Sequence, residues 1–283
     1  MEKERMVLDV FPSRPTQDGA GVRLDRVFAN REAVKMDPFL LLDFFHSDNP
    51  DDYIAGFPWH PHRGIETVTY LLKGRVRHED SIGNNGVIGP GDVQWMTAGS
   101  GIIHQEMPEQ EDGELAGFQL WVNLPGKDKM IDPRYQEFLR SEIPQLELGN
   151  GTVIKVICGQ VNGTAGPVKN IIADAEYLDL FIPSNREYKH PVKRGYTTFA
   201  FIYDGEAKFD KRSEPVSRDH LAFFSDGEEL MISTTDSEVR FLLISGKPFH
   251  EPIAWWGPIV MNSDEELKTA IEEYKKGTFL KNR

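Results

Sequence analysis

Short runs in which apolar and polar residues alternate, each closed by Gly, Pro or Asn, recur along the chain. They occupy residues 23–28, 66–72, 74–78, 92–96 and 117–122, and a second set extends from about 153 to 245. A period of two places alternate side chains on opposite faces of an extended strand, so the pattern predicts antiparallel sheets of short strands, in a sandwich or barrel. Asn84-Asn85-Gly86 and Gly89-Pro90-Gly91-Asp92 supply turn chemistry between such strands. Two helices are expected. Asp132-Pro133, ahead of residues 134–138, reads as a cap followed by proline at the first helical position. Near the end, Ser263 and Glu266 form a capping box, Leu267, Ala270, Ile271 and Tyr274 share one helical face, and Gly277 marks the stop.

The chain also repeats itself. Residues 60–74 align with residues 191–205 at an offset of 131, so that Arg63, Gly64, Thr67 and Gly74 recur as Arg194, Gly195, Thr198 and Gly205. Further on, Asp92 answers Asp219 at an offset of 127. A period of this length denotes two copies of a domain rather than a solenoid. The length of 283 residues agrees, and the boundary falls near residues 141–144. The copies differ where chemistry is concerned, because His60 and His62 become Pro191 and Lys193.

Composition narrows the function. Asp and Glu total 45 against 32 Lys and Arg, a net charge of −13, which argues against direct binding to nucleic-acid phosphates or anionic lipid. The charged start, Met1 to Met6, is followed by no apolar stretch of the secretory kind, and the longest apolar run, around residues 39–45, is interrupted by Asp43. The single cysteine, Cys158, excludes both an internal disulfide and a thiolate cluster. The expected setting is cytoplasmic, or nuclear as well in a eukaryotic source.

His60-Pro61-His62 carries two imidazoles on one face of a strand, and His104-Gln105-Glu106 carries an imidazole and a carboxylate at the same spacing. Either pair alone is commonly incidental. Placed together on neighbouring strands, they offer three nitrogens and one oxygen, a set suited to a divalent transition metal with positions left open.

Residues 60–72 and 90–108 resemble the two signature stretches of the pirins, two-domain members of the cupin superfamily. The likeness continues through residues 119–124, 135–137, 141–144 and 257–262. It implies an all-β fold of two jelly-roll-type cupin barrels facing each other, with a few short helices and a C-terminal helix. Residues 1–143 would form the metal-binding cupin domain, and residues 144–283 a second cupin domain without a metal, including that helix.

The resemblance puts the metal on His60, His62, His104 and Glu106. It implies Fe(II), with Ni, Mn, Co, Cu and Zn open on the same ligands, and a quercetin 2,3-dioxygenase type of activity on a flavonol-like aromatic substrate and O2. Glu106 is then the candidate catalytic base, and Phe57 and Trp59 are candidate stacking walls, Trp59 being a departure from the family pattern. Glu66, at the usual cupin glutamate position, is expected to be a strand residue rather than a ligand. The alternative that the family implies is an iron-redox-sensing regulator that docks on transcription or metabolic protein partners. The remaining histidines, His46, His78, His190, His220 and His250, lack a second ligand at such spacing and read as surface or core residues.

Overall fold

The computed structural model describes residues 3–109 and 113–281. The chain divides into two compact units, one of residues 14–140 with 249–283, the other of residues 1–13 with 141–248. Each is built of antiparallel sheets, as a cupin barrel requires.

In the first unit a seven-stranded sheet runs in the order Arg134–Phe138, Val93–Thr97, Ile65–Lys73, Leu115–Asn123, Phe39–Ser47, Val22–Phe28 and Arg14–Asp18. A four-stranded sheet places Phe57–His62 beside Ile102–Pro108, followed by Val76–Asp80 and Asn85–Ile88. The Ile102–Pro108 strand alternates strictly, with residues 102, 104, 106 and 108 buried, which turns His104 and Glu106 inward together.

The second unit repeats the arrangement. Thr197–Ala207 lies between His220–Phe224 and Val239–Gly246, as Ile65–Lys73 lies between Val93–Thr97 and Leu115–Asn123. The repeated glycines also keep their conformation: Gly64 and Gly195 have φ of 76° and 72°, and Gly74 and Gly205 have 77° and 75°. Those left-handed angles suit a residue without Cβ. An apolar core including Phe209, Phe241 and Leu243 fills this unit.

Two expectations change. The chain passes between units at residues 140–141, close to the expected boundary, but both ends are exchanged. Val7–Pro12 pairs antiparallel with His220–Phe224 in the second unit. Residues 249–283, with the C-terminal helix, belong to the first unit, so assignment of that helix to residues 144–283 is corrected. The reason is apolar burial: Ala270 and Phe279 pack with Ile259 and Met261, and Ile103 joins them from a strand of the four-stranded sheet. The helix itself, Asp264–Lys275, has the predicted capping box, with the Glu266 N–H donating to Ser263 Oγ at 3.2 Å.

The helix expected after Asp132-Pro133 is instead the strand Arg134–Phe138, paired antiparallel with Val93–Thr97. A sheet edge satisfied this segment's backbone groups, and that long-range pairing overrode the local capping signal.

Candidate metal centre

The two predicted pairs meet on adjacent strands. His60 lies directly opposite His104, and His62 lies opposite Ile102. A bulge then shifts the register, so that Phe57 rather than Pro58 faces Glu106. His60 Nε2 stands 3.0 Å from His62 Nε2 and 3.0 Å from His104 Nε2. Among the described residues these three form a group whose donor atoms all lie within 4.8 Å of one another. His62 and His104 are buried, and His60 is partly so.

The protonation pattern follows from the surroundings. His60 Nδ1 lies 2.9 Å from the Pro58 carbonyl and His62 Nδ1 lies 3.2 Å from the Pro258 carbonyl. A carbonyl only accepts, so each Nδ1 carries the proton and each Nε2 turns a lone pair toward the other. Burial holds the pKa of His62 and His104 well below 6.5, and the neighbouring imidazoles push the same way. Neutral imidazoles converging lone pair to lone pair call for a cation between them. Neighbouring ligands at right angles about an ion, at metal–nitrogen distances of about 2.1 Å, lie about 3 Å apart. The histidine set therefore fits a divalent transition metal.

Glu106 is buried on the same strand but stands outside the three-histidine group. Its Oε1 accepts from Thr69 Oγ1 at 3.0 Å, and Thr69 Oγ1 is 2.8 Å from the Gln119 side-chain amide. Glu66 occupies the opposite face of its strand. Its carboxylate accepts from Thr97 Oγ1 at 2.7 Å and Trp95 Nε1 at 3.1 Å, and it takes no part in the group. A cavity of about 490 Å³ opens beside His60, His62 and Glu106, with Leu41, Phe45 and Leu115 on its apolar wall.

Phe57 lines that cavity. Trp59 does not; it is 47% exposed, and the expectation of a stacking wall there is corrected. The aromatic wall comes from Trp121, edge-on to His62 with ring centres 5.1 Å apart, and from Trp255 at 6.0 Å from Trp121. Sequence reasoning missed both, because Trp255 reaches the site only through the exchanged C-terminal segment.

Three of the other histidines, expected as surface or core residues, each stand beside a carboxylate. His46 pairs with Asp25 at 2.9 Å, His78 with Glu137 at 2.9 Å and His190 with Glu176 at 2.7 Å.

Fold and site together define a cupin with a histidine cluster in one of its two barrels. Residues 21–122 match the pirin family, and residues 177–280 match the pirin C-terminal cupin domain. A pirin-like protein of Caulobacter vibrioides is 44% identical over 276 residues, covering 97% of this chain and 99% of that one. The chain is similar to the crystal structure of a quercetin 2,3-dioxygenase from Acinetobacter baumannii, with a TM-score of 0.90, 31% identity and 98% of both chains covered. It shares its fold with a bacterial pirin from Escherichia coli solved in complex with nickel(II), at a TM-score of 0.64 and 21% identity, with 85% of this chain and 100% of that one covered. The chain belongs to the pirin family.

Proposed function

We propose that this pirin is a metal-dependent dioxygenase of the quercetin 2,3-dioxygenase type. Its substrates are a flavonol and O2, and Fe(II) is held by His60, His62, His104 and Glu106. The observation that carries this reading is the convergence of three imidazoles, with His60 Nε2 3.0 Å from both His62 Nε2 and His104 Nε2, on a largely apolar cavity large enough for an aromatic ligand. The Acinetobacter relative, named for this activity, points the same way.

Bound Fe(II) supplies Lewis acidity toward the flavonol hydroxyl and redox chemistry with O2. The protein supplies the rest. The Pro58 and Pro258 carbonyls fix the tautomer and ring orientation of His60 and His62, as outer partners of metal ligands do. Trp121 and Trp255 form an aromatic wall beside His62. Thr69 lies 3.0 Å from Glu106 Oε1 and orients the carboxylate, which would accept the proton of the substrate hydroxyl when it is not holding the metal.

The test is O2-dependent loss of quercetin absorbance by Fe(II)-loaded protein, with metal-treated His62→Ala protein as the control. Turnover is expected in the parent, and loss of both metal and turnover in the variant. A parent with iron bound that leaves quercetin intact overturns the reading, and so does turnover by a metal-free variant.

A further inference from the structure

One polar row crosses the floor of the cavity. Arg26 pairs in register with Asp43, Asp43 with Gln119, and Gln119 with Thr69, the residue bonded to Glu106. All four of these residues, with Glu106, line the same cavity. Adjacent strands lie about 4.8 Å apart, so Asp43 stands roughly 10 Å from Thr69, two strands across the sheet.

Asp43 is only 4% exposed and is gripped by one guanidinium. Arg26 Nε donates to Oδ1 at 2.9 Å and Nη2 to Oδ2 at 2.8 Å, while Nη2 also donates to Asp18 Oδ2 at 2.7 Å. Three of the five guanidinium N–H groups are thereby used. Nη1 has no protein partner among the described residues, although Arg26 lies on the cavity wall. The two carboxylates outweigh the single guanidinium by one negative charge, so this end disfavours an anion. A neutral hydroxyl suits it, accepting from Nη1 and donating to a free carboxylate lone pair.

We propose that the Arg26–Asp43 pair is a second anchor for the substrate, reading a phenolic hydroxyl on the ring remote from the metal. This rests on the dioxygenase reading of the histidine end and adds a specificity determinant to it. The substrate class it selects is a neutral, multi-ring aromatic hydroxylated at both ends, in preference to aromatic acids or to flavonols with a bare pendant ring.

The experiment is anaerobic titration of the Fe(II)-loaded protein with quercetin and with galangin, which differ only in the two hydroxyls of the pendant ring. One lost hydrogen bond to a charged group corresponds to at least about a tenfold difference in Kd, so the parent is expected to favour quercetin by that factor. Arg26→Lys, which keeps the charge but loses the fork, is expected to shrink the preference below about threefold, with iron content and thermal midpoint as controls for folding. If that variant does not fold, Asp43→Asn takes its place. Equal binding of the two flavonols by the parent overturns the proposal, as does a preference that survives in the folded variant. Preference without oxygen-dependent turnover removes the dioxygenase reading and leaves the anchor standing. Turnover without preference does the reverse.

Discussion

Thr69 has one proton and two acceptors within reach. Its hydroxyl faces Gln119 Oε1 at 2.8 Å as well as Glu106 Oε1, so giving the proton to Glu106 requires the Gln119 amide to turn its N–H to the Thr69 oxygen, and the two residues then form a directed chain that orients the carboxylate. Thr69→Val keeps the shape and breaks the chain at its middle. Its kcat on quercetin is expected to fall about tenfold with little change in thermal midpoint, and Thr69→Ser is expected to recover most of the loss. Unchanged kcat in the valine variant would mean that Glu106 needs no such support.

The histidines set a pH dependence at the same scale. Above pH 6.5 His62 and His104 are neutral both folded and unfolded, and contribute nothing. Below 6.5 the unfolded chain takes up protons that the buried rings refuse, so stability falls with falling pH. The slope is up to about 1.4 kcal/mol per pH unit for each ring. Thermal melts of metal-free protein between pH 7 and pH 5 should show this decline, and His104→Gln should flatten it. The histidines were legible from spacing alone, since alternation fixes which residues share a face. Arg26 and Asp43 were not: Asp43 showed only as a carboxylate interrupting an apolar run, and its partner is known only once two strands are paired.

At the scale of elements, the turn after His62 is held from several sides. Arg63 donates to the Ser100 and Phe279 carbonyls and pairs with Glu273 at 2.7 Å on the C-terminal helix. Lys129, 1% exposed, donates to the carbonyls of Gly64 and Val260 and to Asn123 Oδ1, at 2.8–2.9 Å. Burial pulls its pKa down to about 7, while the charges of Glu251 and Glu266 favour the ammonium form. Gly64 admits no side chain, because a Cβ there would run into the Val260 carbonyl. Lys129→Met leaves three buried acceptors without their donor and is expected to cost about 3 kcal/mol in urea unfolding. A loss under about 1 kcal/mol would show that the lysine is not a clamp. The repeat made the turn itself visible, but nothing in the pattern around Lys129 distinguished it from a surface lysine. The mistaken helix at residues 132–138 has the same origin, a local signal that yielded to a distant strand.

For the whole molecule, the exchanged ends mean that a cut at the sequence boundary divides both units. A fragment of residues 1–143 lacks Ile259, Val260, Ala270 and Phe279, all buried in the first unit. Expressed alone it is expected to give a collapsed, poorly dispersed NMR spectrum, and co-expression with residues 144–283 should restore a folded pair. A cooperative unfolding transition in the isolated fragment would contradict this. Alternation was enough to read antiparallel sheets and the repeat to read two copies of a domain, while the likeness to pirins made them barrels. The exchange was not readable, because the repeat marks the units' centres and carries no information about their edges.

The Pro258 carbonyl that orients His62 lies 196 residues further along the chain. A ribosome delivers the histidines long before it delivers that carbonyl, or the segment that packs on their barrel. The barrel whose strands are translated first is thus completed late, and a metal at these histidines would find its site whole only once the segment around Pro258 has been made.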